Sequence, residues 1–317
     1  MSLFSSIRMA GNALQANEIG LQVVGQNIAN ANTPGYIREQ VQFAATQPTQ
    51  LGTLILGNGV EVLGINQCVD KYLEQRYRSS MSDQARADTL ESSYAQLESI
   101  LGALGDNNLS SSINDFFSSV SEILNQPSSV SIRNLAALQG QSLAENFNQM
   151  ADRVAQLRDE TNNRIIGMAG DINRLVEQIR GLNVRITITE SGVASDAVGL
   201  RDQRQQAVED LSQLIGIRTT EESDGSLSVY CGGDYLVYEG SSRQVDVAIS
   251  SEEGPNTATI QFAGINVPLN PASGELCGLV SSRNDVYNRF LEKLDGLAAS
   301  LAFEFNKVYS GGQGLTG

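Results

Sequence analysis

Histidine is absent from this 317-residue sequence, and its three cysteines, Cys68, Cys231 and Cys277, are far apart. The absence of histidine removes the commonest general base of enzymes and the commonest ligand of transition metals. Cysteines so widely spaced do not have the pattern of a zinc site, and their odd number cannot complete a disulfide framework. We therefore interpret all three as small hydrophobic residues at buried positions and predict no metal site and no cofactor.

The sequence also lacks long apolar runs and an excess of basic residues. No stretch approaches the roughly 18 consecutive apolar residues that a membrane helix needs. The formal net charge of −15 opposes non-specific binding to nucleic acid and to an anionic membrane surface. Residues 1–16 contain no compact apolar run behind a basic head, so a cleaved secretory signal is not predicted. We expect neither nucleic acid nor membrane as a partner, while export with an uncleaved signal stays open.

Groups that could perform catalysis are scarce as well. Neighbouring carboxylates such as Asp159 and Glu160 are typical of solvated surfaces, and no serine or cysteine can be given a histidine partner. Residues 312–317, GQGLTG, match a dinucleotide-binding pattern by letter, but they follow a helical pattern where that motif requires a strand. We interpret residues 311–317 as a flexible glycine-rich tail. The sequence predicts no catalytic residue and a protein that is not an enzyme.

Charge is nearly missing from the beginning of the chain, where apolar residues follow a heptad pattern. Residues 1–66 hold only five charged side chains. Positions spaced alternately by four and three form a stripe, the heptad seam: Leu3, Ile7, Ala10, Leu14, Asn17, Leu21, Val24 and Ile28. Such a stripe is buried when helices pack together, and amides on the other faces can contact protein without the desolvation cost of a charge. Residues 1–30 are predicted to be a coiled-coil assembly helix, with a weakly charged surface helix as the alternative.

A definite stop follows this helix. Residues 29–36, ANANTPGY, combine asparagines with Pro34 and Gly35, which fit the middle of a type II turn that needs a positive φ at its second central residue. Residues 36–43 then alternate between polar and apolar, and residues 54–65 do so again around turn signals at Gly57 to Gly59. The pattern predicts a turn and an extended or hairpin arm over residues 31–67.

Helical periodicity dominates from residue 68 onward. A helical bundle is predicted over residues 68–216, and its longest helix is a coil over residues 131–189. Two consecutive spacings of four, through Leu157, Thr161 and Ile165, form a stutter that locally unwinds a coiled coil. At 1.5 Å per residue this helix would be on the order of 90 Å long. The length predicts an elongated antiparallel bundle.

The composition changes between residues 217 and 274. Alternating runs separated by turn residues, among them Asp224 and Gly225, predict a small antiparallel β domain inserted into the bundle. The helical pattern resumes over residues 275–310 as a return helix. The predicted fold class is therefore mainly α with a β-rich insertion.

Residues 27–36, NIANANTPGY, resemble the N-terminal signature of the axial proteins of the bacterial flagellum, the rod, hook and hook-associated proteins. The matching positions are Asn27, Asn30, Asn32, Thr33, Pro34, Gly35 and Tyr36. Three further segments narrow the resemblance to the hook-associated protein 1 family, whose members form the hook–filament junction: residues 57–78, 199–217 and 224–238. The resemblance extends over essentially the whole sequence.

The resemblance implies an extracellular structural subunit that is exported unfolded through the flagellar type III apparatus and assembles as a ring between hook and filament. Residues 3–28 would be its inner-tube helix. The implied partners are copies of itself, the hook protein, the second junction protein and an export chaperone that binds a C-terminal part missing from this sequence. Because the family's chain continues further, we expect this sequence to be an N-terminal fragment.

Two alternatives stay open. Another rod or hook subunit would share the motif at residues 27–36, although the coil over residues 131–189 and the β insertion argue against it. A type III-secreted effector or enzyme would belong to a different class and would need a pocket with perturbed titratable groups.

Overall fold

The computed structural model of the protein describes residues 3–33, 35–51, 53–102, 109–192, 195–250 and 256–312. Seven helices account for most of this described part: α1 (Leu3–Ala29), α2 (Lys71–Gly102), α3 (Leu109–Asn125), α4 (Val130–Glu190), α5 (Val198–Leu214), α6 (Glu275–Ser281) and α7 (Arg289–Ser310). A π-helical stretch, Ser282–Asn288, joins α6 to α7. Three predicted features lie outside the described residues, namely Pro34, the side chain of Leu3 and residues 313–317 of the tail.

The strands form small sheets. They are β1 (Glu39–Ala45), β2 (Thr49–Leu51), β3 (Leu54–Leu56), β4 (Val60–Gln67), β5 (Arg218–Glu221), β6 (Leu227–Cys231), β7 (Asp234–Tyr238), β8 (Ser241–Ser242), β9 (Val245–Ser250), β10 (Thr257–Phe262) and β11 (Val267–Pro268). Strands β5 to β8 form an antiparallel meander, and β11, β10 and β9 form a second sheet in that order. The predicted fold class, mainly α with a β-rich insertion, is confirmed. Among the described residues, the insertion consists of these two sheets.

The longest helix agrees closely with its prediction. Residues 131–189 were predicted to be helical, and α4 covers Val130–Glu190, 61 residues. The apolar stripe from Phe147 to Ile186 is buried or half-buried throughout, and only its last predicted position, Thr189, is exposed. At the stutter, the buried Thr161 donates its hydroxyl to the carbonyl of Leu157 at 2.8 Å. This polar residue therefore enters the stripe without an unsatisfied donor.

Three asparagines on α4, Asn162, Asn173 and Asn183, fasten strands to the helix with the same pair of hydrogen bonds. Each side-chain nitrogen donates to a backbone carbonyl, and each side-chain oxygen accepts from a strand N–H, at 2.6 to 3.3 Å. The partners are Asn256, just before β10, and Ala258 for Asn162, Val245 for Asn173 and Leu227 for Asn183. The amide replaces the peptide of a neighbouring strand, so strand backbone remains paired where it meets the helix.

The chain forms two compact units, each discontinuous in sequence. One comprises residues 1–83, 169–246 and 260–274, and the other comprises residues 84–168, 247–259 and 275–317. In the first unit, buried residues of α5 and of the meander contribute to the core, among them Leu211, Val229 and Leu236. In the second unit, one apolar cluster brings α3, α4 and α7 together: Phe116, Leu143, Phe147, Met150 and Leu294.

The cysteines differ in their surroundings. Cys231 is buried, and burial raises the pKa of its thiol to about 12, which agrees with a small hydrophobic residue. Cys277 is half-buried. The prediction is wrong for Cys68, which is exposed and donates to Gln40 Oε1 at 3.5 Å, while Arg38 Nη2 lies 3.7 Å from its sulfur.

Candidate assembly surface

The heptad seam lies on a solvent-exposed face of α1. Five large side chains on this face, 52% to 73% exposed, are Ile7, Leu14, Leu21, Val24 and Ile28. Ala10 and Asn17, the two small or polar seam positions, are exposed as well. Exposed apolar side chains of this kind are unfavourable in water, and such a face is a candidate surface for binding another protein.

The neighbouring face of α1 packs on the chain's own arm. A second stripe with the same alternating spacing is buried or half-buried against β1 and β4: Met9, Ala13, Ala16, Gly20, Val23 and Asn27. Ala16 and Val23 are only 3% and 5% exposed. At 3.6 residues per turn the two stripes lie roughly 100° apart around the helix. The arm therefore holds α1 from one side and leaves the heptad seam free.

Asn27 connects the end of α1 to the beginning of β1. Its Nδ2 donates to the carbonyl of Glu39 at 2.9 Å, and its Oδ1 accepts from the N–H of Glu39 at 2.9 Å. The hydroxyl of Tyr36 donates to the same Oδ1 at 2.9 Å. This is the pair of bonds that the asparagines of α4 make, here strengthened by a tyrosine.

The other motif residues build the turn between α1 and the arm. The N–H of Thr33 donates to the carbonyl of Asn30 at 2.9 Å, and the N–H of Tyr36 donates to the carbonyl of Thr33 at 3.2 Å. Gly35 has a φ of +77°, so the predicted positive φ is confirmed. A Cβ at Gly35 would also lie 2.9 Å from Oε1 of Gln206. Asn32 is exposed. The structure therefore brings Asn30, Thr33, Gly35 and Tyr36 together in one turn, and Tyr36 contacts Asn27 near the end of α1.

The arm is a single long hairpin whose closing turn is not at the predicted position. Strand β1 pairs with β4 from Glu39–Gln67 to Ala45–Val60, and β2 pairs with β3 beyond them. The hairpin closes between Leu51 and Leu54. The glycines at 57 and 59, where the sequence predicted the turn, instead separate β3 from β4, which follow one another along the returning half of the hairpin. Asn58 bridges this break by donating to the carbonyl of Gln47 at 2.9 Å. The turn residues at 57–59 therefore mark an interruption of the strand pairing and not the end of the hairpin.

The base of the arm is docked on the segment before α5. The N–H of Ile65 donates to Oγ of Ser195 at 3.1 Å, and the N–H of Asp196 donates to the carbonyl of Ile65 at 3.0 Å. The N–H of Gln67 donates to Oδ2 of Asp196 at 2.9 Å, so the outer edge of β4 is paired at two residues. The arm is therefore fixed at its base on both sides, by α1 and by this segment.

Two carboxyl groups, Glu39 and Asp202, are partly desolvated at this base. Glu39 is 8% exposed, and burial raises the pKa of its carboxyl group. Burial raises the pKa of Asp202 to about 6, against a hydrogen bond from Gln67, and the charge of Glu39 adds to the rise. Sequence reasoning did not identify this pair, because the two residues are far apart in the sequence.

The described ranges contain no arrangement of three or more cysteine, aspartate or glutamate side chains that could hold a metal ion. None of the helices in the same ranges combines the length and apolar content of a membrane span.

Comparison with known proteins agrees with this architecture. The sequence profile of the family described as "Flagellar hook-associated protein FlgK helical domain" matches residues 94–317. The profile "Flagella basal body rod protein" matches residues 7–36, which contain the seam from Ile7 onward and the motif.

Individual relatives have the same family name. Flagellar hook-associated protein 1 of Bacillus subtilis is 25% identical over 345 aligned residues, which cover 98% of this chain and 68% of that protein. The Salmonella typhimurium protein of the same name is 27% identical, with 99% of this chain and 58% of that protein covered. The chain thus spans about three fifths to two thirds of the length of these relatives.

A solved structure of the flagellar hook junction protein FlgK from Burkholderia pseudomallei superposes with a TM-score of 0.56 and 26% identity. The superposition covers 66% of this chain and 39% of that one. Since the FlgK profile alone matches well over half of the sequence, the chain belongs to the flagellar hook-associated protein FlgK family.

Proposed function

We propose that this chain is a structural subunit of the bacterial flagellum that forms the hook–filament junction, and that it self-assembles through the heptad seam. The exposed apolar face of α1 is the observation that carries the proposal. Five large apolar side chains there have no cover, while the adjacent stripe of the same helix is buried against the arm. A helix that buries one stripe inside its own subunit and exposes a second apolar stripe is suited to packing against copies of itself.

Family membership supports the flagellum as the location and a structural role, because the relatives are flagellar hook-associated proteins. We propose further that the subunit acts outside the cell after export with an uncleaved N-terminal signal, and that it is not an enzyme. Its partners would be copies of itself, the hook protein, the second junction protein and an export chaperone. The rod-protein match at residues 7–36 favours the axial class over a secreted effector.

A charge placed in the seam tests this function in the complete reading frame. In Leu14→Asp or Leu21→Asp, assembly would bury an unpaired carboxylate in every subunit at a cost of several kcal/mol, unless the site relaxes or takes up a proton. Both side chains are more than 70% exposed in the single chain. We therefore expect normal folding by circular dichroism, reduced swimming and leakage of unassembled filament subunits into the medium.

Gln156→Asp is the control, since Gln156 lies on an exposed face of α4. It adds the same charge and should change stability by no more than about 0.5 kcal/mol. Normal motility and normal filament retention with Leu21→Asp would show that the subunits do not assemble through the heptad seam.

A further inference from the structure

A cleft of about 340 Å³ lies between the beginning of α2, α5 and strand β5. Its lining contains five basic side chains, which we call the cationic cleft: Lys71, Arg78, Arg201, Arg204 and Arg218. Two carboxylates, Glu74 and Glu221, line the same cleft. A local excess of positive charge is unusual here because the whole chain has a net charge of −15.

The carboxylates do not suffice to pair these cations. Glu221 is shared by Lys71 at 2.6 Å, Arg201 at 2.5 Å and Arg204 at 3.8 Å. Glu190, which does not line the cleft, pairs through Oε1 with Nε of Arg201 at 2.6 Å. Asp196 lies 3.8 Å from the same guanidinium. Four carboxylates thus face five basic groups, and Arg218 is exposed at the same site.

Two of the arginines are almost completely buried. Arg204 is 5% exposed, and burial together with the charge of Arg201 lowers its pKa to about 10. Arg78 is also 5% exposed, and its Nη groups contact Glu74 at 3.3 Å and Thr219 at 3.0 Å. Its Nε is buried without a hydrogen-bond acceptor among the described residues. A buried donor without an acceptor is unfavourable, and the Arg78 side chain lines the cleft.

We propose that the cationic cleft is a binding site for an anionic group, a phosphate or a carboxylate. Guanidinium groups match the planar, two-oxygen edge of such anions, and the low polarity around buried arginines strengthens the attraction. The anion has two possible sources with the same chemistry. It is either a free small anion or a carboxylate from the acidic surface of a second copy of this chain.

Inorganic phosphate is the probe. Isothermal titration and thermal unfolding of the chain in sodium phosphate are compared with sodium chloride at equal ionic strength. We expect saturable phosphate binding and a rise in Tm beyond that in chloride. Lys71→Gln combined with Arg218→Gln, both at exposed positions, should weaken phosphate binding about tenfold.

Two further variants make the test specific. Glu74→Gln keeps an acceptor for Arg78 but removes a negative charge, so it should tighten phosphate binding. Arg174→Gln removes an exposed arginine that pairs with Asp171 and does not line the cleft, so binding should equal that of the wild type. Phosphate that acts no more strongly than chloride, or equally on all variants, would overturn the proposal.

Self-association identifies the source of the anion. If phosphate competes with association of the wild-type chain in sedimentation experiments, the natural occupant is a carboxylate of a neighbouring copy. If phosphate binds but leaves association unchanged, the occupant is a free anion. Both results support an anion site.

Discussion

At the scale of single residues, Asn27 is the most informative position of the flagellar motif. Its amide makes three hydrogen bonds, two to the backbone of Glu39 and one from Tyr36. Asn27→Ala would leave these groups without partners at the base of the arm, and we expect a loss of about 2–3 kcal/mol in the free energy of unfolding. Urea unfolding followed by circular dichroism measures the difference.

Asn32→Ala is the matched control within the same motif, because Asn32 is exposed. It should change the free energy of unfolding by no more than about 0.5 kcal/mol. Equal effects of the two substitutions would show that Asn27 does not hold the arm.

Asp202 gives a prediction about pH. Its folded-state pKa, about 6, lies above its ordinary value of 3.8, so the folded protein binds this proton more tightly than the unfolded chain does. The resulting stabilisation is complete below about pH 4 and is lost as the pH rises through 6. After allowance for partial solvent exposure, Asp202→Asn should gain about 1–2 kcal/mol relative to wild type between pH 4 and pH 7. If the free energies of unfolding of wild type and Asp202→Asn changed in parallel between pH 4 and pH 7, the raised pKa of Asp202 would be refuted.

At the scale of elements, α4 relies on its buried stripe. Ile172 is fully buried and Ile188, on the same helix, is 71% exposed. Ile172→Ala should lower the free energy of unfolding by about 2–5 kcal/mol, because it removes apolar contacts and leaves a cavity. The same truncation at Ile188 should cost no more than about 0.5 kcal/mol. Chemical denaturation of both variants decides whether the stripe or helix propensity stabilises α4.

The elements that the sequence predicts best are those with a strong local pattern. The stripe of α4 located its ends to within one residue. The hairpin at Asp224 and Gly225 also formed as expected, with a φ of +81° at Gly225. In both places the local spacing of apolar or turn residues already determines the conformation.

Other features depend on contacts between distant segments and were not predicted. The second stripe of α1 consists largely of small or polar residues such as Ala16 and Gly20, so it has no apolar signal of its own. The paired hydrogen bonds of Asn162, Asn173 and Asn183 depend on strand residues that lie 44 to 96 positions later in the chain. The five basic residues of the cationic cleft likewise come from separate elements. The spacing of residues along one sequence does not reveal which distant segments come into contact.

At the scale of the whole molecule, charge and apolar surface are separated. The chain has a net charge of −15, whereas α1 contains only Arg8 and Glu18 as charged residues. Like charges keep copies of a protein apart over most of their surface. A face with almost no charge and five exposed large apolar residues is where copies can associate. We therefore expect association between subunits to be driven chiefly by the heptad seam.

The most direct test of this claim measures solvent access to the seam before and after assembly. In a Cys68→Ser background, which removes the exposed native thiol, Leu21→Cys is introduced into the complete reading frame, with Gln156→Cys as the comparison. Labelling rates with a small thiol reagent are measured on purified monomer and on isolated flagella, and the background protein gives the contribution of the remaining cysteines.

Position 21 is 73% exposed in the single chain, so the thiol should react rapidly in the monomer. In flagella we expect strong protection at position 21 and much less change at position 156. Equal labelling of position 21 in monomer and flagella would contradict the account, because a seam that stays accessible to the reagent after assembly cannot be the surface that joins the subunits.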